Sequence, residues 1–199
     1  MNLANKITMF RIFLVPIFLL FASPMPKWIA NENSFFHFIN EYSLGIATAI
    51  FIIAAITDKL DGYIARKYNQ VTKFGSLMDP LADKLMVASA LIILVQQNKV
   101  ASWVVFIILA REFAVTALRV TAAYSKKVLA ADKFGKIKLV AQVIAIPLCL
   151  LSNFPFNLVT HFPFDSVMMF FTVLITVFSG ANYFIKNKHI FYERGKFIA

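Results

Sequence analysis

Cysteine is almost absent from this chain. Cys149 stands alone in an apolar run, so no disulfide framework can be drawn. Histidine is nearly as rare: His37, His161 and His189 are widely scattered, and no Cys/His metal site can be assembled by spacing. Any metal held here must therefore be hard and bound through oxygen. The glycines of a phosphate loop are missing too, since Gly135-Lys136 in ADKFGKIK lacks the upstream glycine. No Ser/His/Asp arrangement is legible, which leaves a lone-nucleophile mechanism without support. No internal repeat or low-complexity segment interrupts the chain. Acid is the scarce charge, with 10 Asp and Glu against 20 Lys and Arg.

Apolar residues fill the space instead. They make up 60% of the 199 residues, and the mean hydropathy is +0.73. That lies far above a water-soluble domain and predicts an all-α integral membrane protein, a single membrane domain over residues 1–199. Six apolar stretches approach the roughly 20 residues that cross a bilayer. They cover 7–22, 44–64, 74–95, 100–122, 137–151 and 166–185. Continuous apolarity without period-two alternation favours helices over a barrel. The first stretch has a second reading: Lys6 and Arg11 before IFLVPIFLLFA have the outline of a cleaved leader, although Pro24 and Pro26 suit a cut near Ser23 poorly.

A net charge of +10 alone would suit nucleic acid. In so apolar a chain, Lys and Arg read instead as helix ends facing anionic headgroups, and no nucleic-acid partner is expected. One set of ends carries Lys6, Arg11, Arg66, Lys67, Lys73, Lys126, Lys127, Lys133, Lys136 and Lys138, then Lys186, Lys188, Arg194 and Lys196. The opposite loops carry Lys27 and Lys99. This asymmetry predicts a six-transmembrane-helix bundle in the plasma membrane with both termini in the cytoplasm.

Against that background, Asp58, Asp61, Asp79 and Asp83 crowd into one 26-residue window and account for four of the ten acids. The link between the second and third stretches is short, so these helices should be antiparallel neighbours. Residues at equal depth in such a hairpin have numbers of constant sum, which sets Asp58 level with Asp83 and Asp61 level with Asp79. The four carboxylates then form one layer just inside the cytoplasmic surface. Asp58 and Asp61 lie about 60° apart around their helix, and Asp79 and Asp83 about 40° apart around theirs. Four ionised carboxylates repel, and each costs about 2.5–3.5 kcal/mol even on lenient insertion scales. Lys59, Arg66 and Lys84 are local counter-charges, but one or two divalent cations neutralise the layer better. Gly62 and Ala65 share the stripe of Asp58, and Gly75 precedes Asp79 by four. Such small residues either let helices pack closely or leave room for a flat ligand.

The pattern Asp58-x2-Asp61-Gly62-x2-Ala65-Arg66-x8-Gly75-x3-Asp79-x3-Asp83 resembles the signature of the CDP-alcohol phosphatidyltransferases at every position. The resemblance implies that Asp58, Asp61 and Asp79 hold a pair of divalent ions, Mg²⁺ or Mn²⁺. It makes Asp83 both a metal ligand and the general base. It implies a CDP-linked lipid donor, CDP-diacylglycerol, with cytidine near Gly62, Ala65 and Gly75 and Arg66 beside the phosphates or the acids. Asp58, Asp61 and Asp79 would meet the donor through the metals. Membrane lipids surround such a protein, and a homodimer follows by analogy with the family alone.

The acceptor is a separate question. NLANKITMFRIFLVP places Asn5, Thr8 and Arg11 three apart on one face. This opening and ILAREFAVTALR, residues 108–119, resemble the branch of the family whose acceptor is glycerol 3-phosphate. A phosphorylated acceptor needs cationic partners, and Arg11, Arg111, Arg119 and Lys136 are the candidates, with Glu112 expected to pair with Arg111 or Arg119. The bland alternative is that these arginines snorkel or bridge helices. In GKIKLVAQ, relatives often show Thr where this chain has Leu139, so no hydroxyl role carries over there. Other acceptors (inositol phosphate, serine, phosphatidylglycerol) remain alternatives within the family. Outside it, a cation transporter should place its acids near the midplane on several helices, rather than at one end of one hairpin.

Overall fold

A computed structural model of the chain describes residues 3–23, 34–67, 73–124, 133–160 and 162–187. These form six α-helices and no strand among the described residues. In chain order they are α1 (Leu3–Ala22), α2 (Ser34–Lys67), α3 (Lys73–Gln96), α4 (Ser102–Tyr124), α5 (Lys133–Leu150) and α6 (Phe164–Lys186). A single 3₁₀ turn, Phe156–Leu158, lies between α5 and α6. Each apolar stretch of the sequence falls on one helix. The largest departure is α2, which begins ten residues before its apolar run. Hydropathy marks the part of a helix suited to lipid, whereas backbone hydrogen bonding continues through SFFHFINEYS regardless of polarity.

Length and composition qualify one helix, Phe164–Lys186, to cross a membrane by itself among the described residues. The apolar parts of α2 and α3 with that character are shorter, Tyr42–Asp58 and Lys84–Gln96. Charged residues interrupt the apolar character of several other helices, among them Asp58 in α2, Arg111 and Glu112 in α4, and Lys138 in α5.

The helices are apolar outward and partly polar inward. On α1, Thr8, Arg11, Val15, Phe18 and Ala22 recur at three- and four-residue spacing and are buried, while Phe10, Phe13, Ile17 and Leu20 are exposed. On α6 the buried face includes Thr172, Thr176, Ser179 and Tyr183, and the exposed face Phe170, Phe171, Leu174 and Phe178. A water-soluble helix shows the opposite pattern.

α1 packs on α2 and α3, α5 packs on α6 and touches α2 and α3, and α4 packs on α6 and α3. The main core joins Phe18 and Phe51 to Leu91, Leu94, Ile108, Ile146 and Leu150. A smaller cluster of Val115, Leu118 and Ala122 meets Tyr183 between α4 and α6. At one end of the bundle, the α3–α4 turn ties neighbouring helix ends together. Asn98 takes a left-handed φ of 57°, which asparagine tolerates well. Gln97 Nε2 donates to the Ala22 carbonyl at 3.0 Å, and Lys99 Nζ to the Leu150 carbonyl at 2.6 Å. Each side chain thus satisfies a carbonyl that the end of α1 or α5 would leave open. Burial holds the Lys99 ammonium below the ordinary lysine range, with Cys149 and Asp165 opposing that shift.

The two faces of α1 give a direct test. Phe18 is fully buried with its ring centroid 6.4 Å from that of Phe51, whereas Phe13 is 64% exposed. Phe18→Ala should lower stability by about 3 kcal/mol, the low end for a ring removed from a packed core. Phe13→Ala should leave the thermal midpoint of the detergent-purified protein unchanged. Equal shifts would contradict this assignment of faces.

Candidate functional site

Two charged clusters lie inside the bundle. The first joins α1 to α2. Arg11 Nη1 donates to Asp58 Oδ1 at 2.6 Å, and the Arg11 side chain is only 1% exposed. Arg11 is the largest fully buried side chain of the described residues, and the Asp58 carboxylate answers its charge. Both residues line a cavity with Phe51 and Ala54 of α2, Met86 and Val87 of α3, and Leu139 and Val143 of α5. The cavity brings Asp58 near the level of Met86, one helical turn beyond Asp83.

The other predicted acids follow their helices. Asp61, Gly62, Ala65 and Arg66 lie along α2, and Gly75, Asp79 and Asp83 along α3, two helices that pack together. Their side chains lie outside the described residues, so backbone placement is what the structure adds. It puts Asp58 and Asp61 three apart on one helix and Asp79 and Asp83 four apart on its neighbour. Oxygen donors in this number suit a hard divalent cation.

The second cluster joins α3, α4, α5 and α6. Glu112 Oε1 accepts from Arg111 Nη1 at 3.2 Å and from Lys138 Nζ. The Lys138 side chain is 5% exposed, so this is an interior pair. Lys84 Nζ lies 3.4 Å from the Glu112 carbonyl, which also accepts from the Thr116 hydroxyl at 2.7 Å. Arg111 Nη2 donates across to Ser179 Oγ at 2.7 Å. Lys84, Glu112, Lys138 and Gln142 line a second cavity with Val87, Leu139 and Val143. Those last three also line the Asp58 cavity, so one apolar wall separates the two clusters. Leu139 stands in that wall.

The four candidate acceptor-binding cations are therefore distributed. Arg11 belongs to Asp58. Arg111 sits in the α4–α5–α6 cluster with Glu112, which meets the expected pairing. Arg119 is exposed, with Nε 3.3 Å from the Tyr183 hydroxyl and its guanidinium carbon 5.6 Å from the ring centroid. Lys136 is exposed on α5. Sequence reasoning missed a site role for Lys138 and Gln142, although Gly135, Lys138 and Gln142 recur at three- and four-residue spacing on α5. It also missed the stripe Thr172, Thr176, Ser179 and Tyr183, whose helical period was legible in the sixth apolar stretch.

Clusters of acids and bases inside a helix bundle suit the handling of phosphorylated groups. The CDP-alcohol phosphatidyltransferase family matches residues 1–178, and the chain belongs to that family. It is similar to the CDP-diacylglycerol–glycerol-3-phosphate 3-phosphatidyltransferase of Bacillus subtilis (strain 168), with 47% identity over 190 residues, covering 94% of this chain and 95% of that one. The protein of the same name from Rickettsia felis is 31% identical over 190 residues, covering 96% and 97%. A probable phosphatidylglycerophosphate synthase of Mycobacterium tuberculosis (strain CDC 1551 / Oshkosh) is 38% identical over 185 residues, covering 92% and 79%.

The Glu112 cluster predicts a non-additive stability pattern. Glu112→Gln takes the carboxylate from its contact with Lys138 and should cost about 3 kcal/mol, as should Lys138→Met, which takes one cation from Glu112. The double variant should recover part of that loss in thermal unfolding, because both members of the pair are then removed together. Losses that simply add would show that the two residues do not act as a pair.

Proposed function

We propose that this chain is a multi-pass membrane enzyme that transfers the phosphatidyl group of CDP-diacylglycerol to glycerol 3-phosphate, giving phosphatidylglycerophosphate and CMP. The observation that carries the reading is the placement of Asp58 and Asp61 on α2 and of Asp79 and Asp83 on α3, packed helices in a chain of this family. The reaction named for its relatives supports the acceptor. The apolar outer faces support immersion in lipid, and the distribution of Lys and Arg supports a cytoplasmic site and cytoplasmic termini.

On this reading the four carboxylates hold one or two Mg²⁺ or Mn²⁺ ions, which when bound supply positive charge to the donor pyrophosphate and to departing CMP. Arg11 fixes one oxygen of Asp58 and so orients that carboxylate. Gly62, Ala65 and Gly75 leave room for cytidine, and Arg66 lies beside the donor phosphates. Asp83 takes the proton from a hydroxyl of the acceptor. The hydroxyl oxygen forms the new bond to phosphorus as the bond from phosphorus to the CMP oxygen breaks, and that electron pair leaves with CMP. Arg111, Arg119 and Lys136 provide cations for the acceptor phosphate, and Lys138 and Lys84 add to the positive surroundings of Glu112.

A panel of acceptors tests this directly. Purified protein with CDP-diacylglycerol and Mg²⁺ should release CMP with glycerol 3-phosphate. Glycerol and serine, which lack a phosphate, should each be poorer by at least about tenfold, the value of one or more charge-assisted contacts. Inositol phosphate and phosphatidylglycerol should also be poorer, because their alcohols differ in size and shape. Equal turnover with glycerol would sink the acceptor assignment. Asp83→Asn should lower kcat while the donor KM stays close to wild type. If donor binding collapses with turnover, Asp83 acts chiefly as a ligand.

A further inference from the structure

The acceptor cations named above sit on α4 and α5, yet the groups that hold Arg111 in place come largely from α6. We propose that Ser179 and Gly180 of α6 are positioning residues for Arg111 and thereby set the selectivity for a phosphorylated acceptor. The inference rests on the reading that Arg111 contacts the acceptor phosphate.

Four observations carry it. Ser179 is fully buried, and its Oγ accepts from Arg111 Nη2 at 2.7 Å. On the other fork, Nη1 donates to Glu112, so the guanidinium plane is held at two points on different helices. A Cβ built on Gly180 would lie 2.9 Å from Arg111 Cγ and 3.8 Å from Nε. Because Cγ is near the root of the side chain, any side chain at 180 must move the whole arginine rather than its tip. A Cβ built on Gly135 of α5 would lie 3.9 Å from Nη2, ordinary contact distance, so the α5 backbone passes beside the guanidinium without crowding it. Arg111 thus runs through a slot formed where α4, α5 and α6 meet.

Such a slot matters for an arginine more than for a lysine. A guanidinium recognises phosphate through paired donors in a fixed plane, so a tilt of that plane costs contacts that a point charge would keep. Long side chains also lose entropy when they bind, and holding the plane in advance reduces that loss. Ser179 contributes a contact and Gly180 contributes the missing carbon; neither needs to touch the acceptor.

The test compares Ser179→Ala, Ser179→Thr, Gly180→Ala and Arg111→Ala in the full-length purified protein, at fixed Mg²⁺. Acceptor KM, donor KM, thermal midpoint and the preference for glycerol 3-phosphate over glycerol are read for each. Ser179→Ala should raise the acceptor KM about fivefold and lower the preference by a similar factor. Gly180→Ala should do so by about tenfold or more, with donor KM within about twofold of wild type in both. Ser179→Thr keeps a hydroxyl and should stay close to wild type. Ser179→Ala added to Arg111→Ala should change nothing further, because its effect passes through the arginine. Should Gly180→Ala fail to fold, the serine series alone decides. If Arg111→Ala raises the acceptor KM while both α6 substitutions leave it unchanged, the α6 inference is overturned and the acceptor reading stands. If Arg111→Ala leaves the acceptor KM unchanged, the acceptor role of Arg111 is lost and this inference goes with it. A parallel rise of both constants with a fall in thermal midpoint would show that Ser179 and Gly180 are packing residues only.

Discussion

A buried charge must be answered by another, and in this bundle that requirement organises the helices. Arg11 lies inside with almost no exposed surface, and the Asp58 carboxylate meets it at 2.6 Å. Removing either partner would break a contact between opposite charges in a low-dielectric interior, a cost of several kcal/mol. The contact therefore pins α1 to α2 at the depth of the aspartate window. It also turns Asp58 toward the bundle interior, where its cavity is shared with α3 and α5. Asp58, the first acid of the aspartate window, is thus anchored by the protein itself.

The same requirement is met a second time across the apolar wall of Val87, Leu139 and Val143. Glu112 is surrounded by Arg111, Lys138 and Lys84, more positive than negative charge. A helix bundle with Phe, Leu and Ile outward and Thr, Ser, Arg and Lys inward inverts the water-soluble arrangement. Helices in lipid associate through packing and interhelical hydrogen bonds, because apolar contact alone gains little there. Threonine and serine hydroxyls on α6 serve both needs, since Thr172 and Thr176 bond back to their own helix while Ser179 reaches Arg111. Near the α3–α4 turn, Gln97 and Lys99 satisfy carbonyls of α1 and α5, which ties the helix ends together.

Much of this was legible in the residues. Hydropathy located each α-helix of the described residues, because a long apolar run has few alternatives to helix when the backbone must satisfy itself. Helix ends were less legible: α2 continues ten residues before its apolar run, since intrahelical bonding does not depend on the polarity of side chains. The aspartate motif was readable because spacing along two helices is a local property, and the residues bring their own chemistry. The acceptor set was harder, because Arg11, Arg111, Arg119 and Lys136 come from three helices and their mutual distances depend on packing. Arg11 shows the difficulty. Its type and depth suit a phosphate, but only the fold reveals Asp58 as its partner. Lys138, Gln142 and Ser179 left a periodic polar trace that hydropathy averaging conceals, and Gly180 left none, since its importance lies in a contact it avoids.

On the proposed reading, carboxylates of α2 and α3 act as one metal-holding layer. Titration of the purified protein with Mn²⁺, following the electron paramagnetic resonance signal of free ion, tests it most directly. The account predicts that Asp61→Asn on α2 and Asp79→Asn on α3 each weaken binding by about tenfold or more, because a ligand is lost from a shared site. Undiminished Mn²⁺ affinity after substitution on either helix would contradict it.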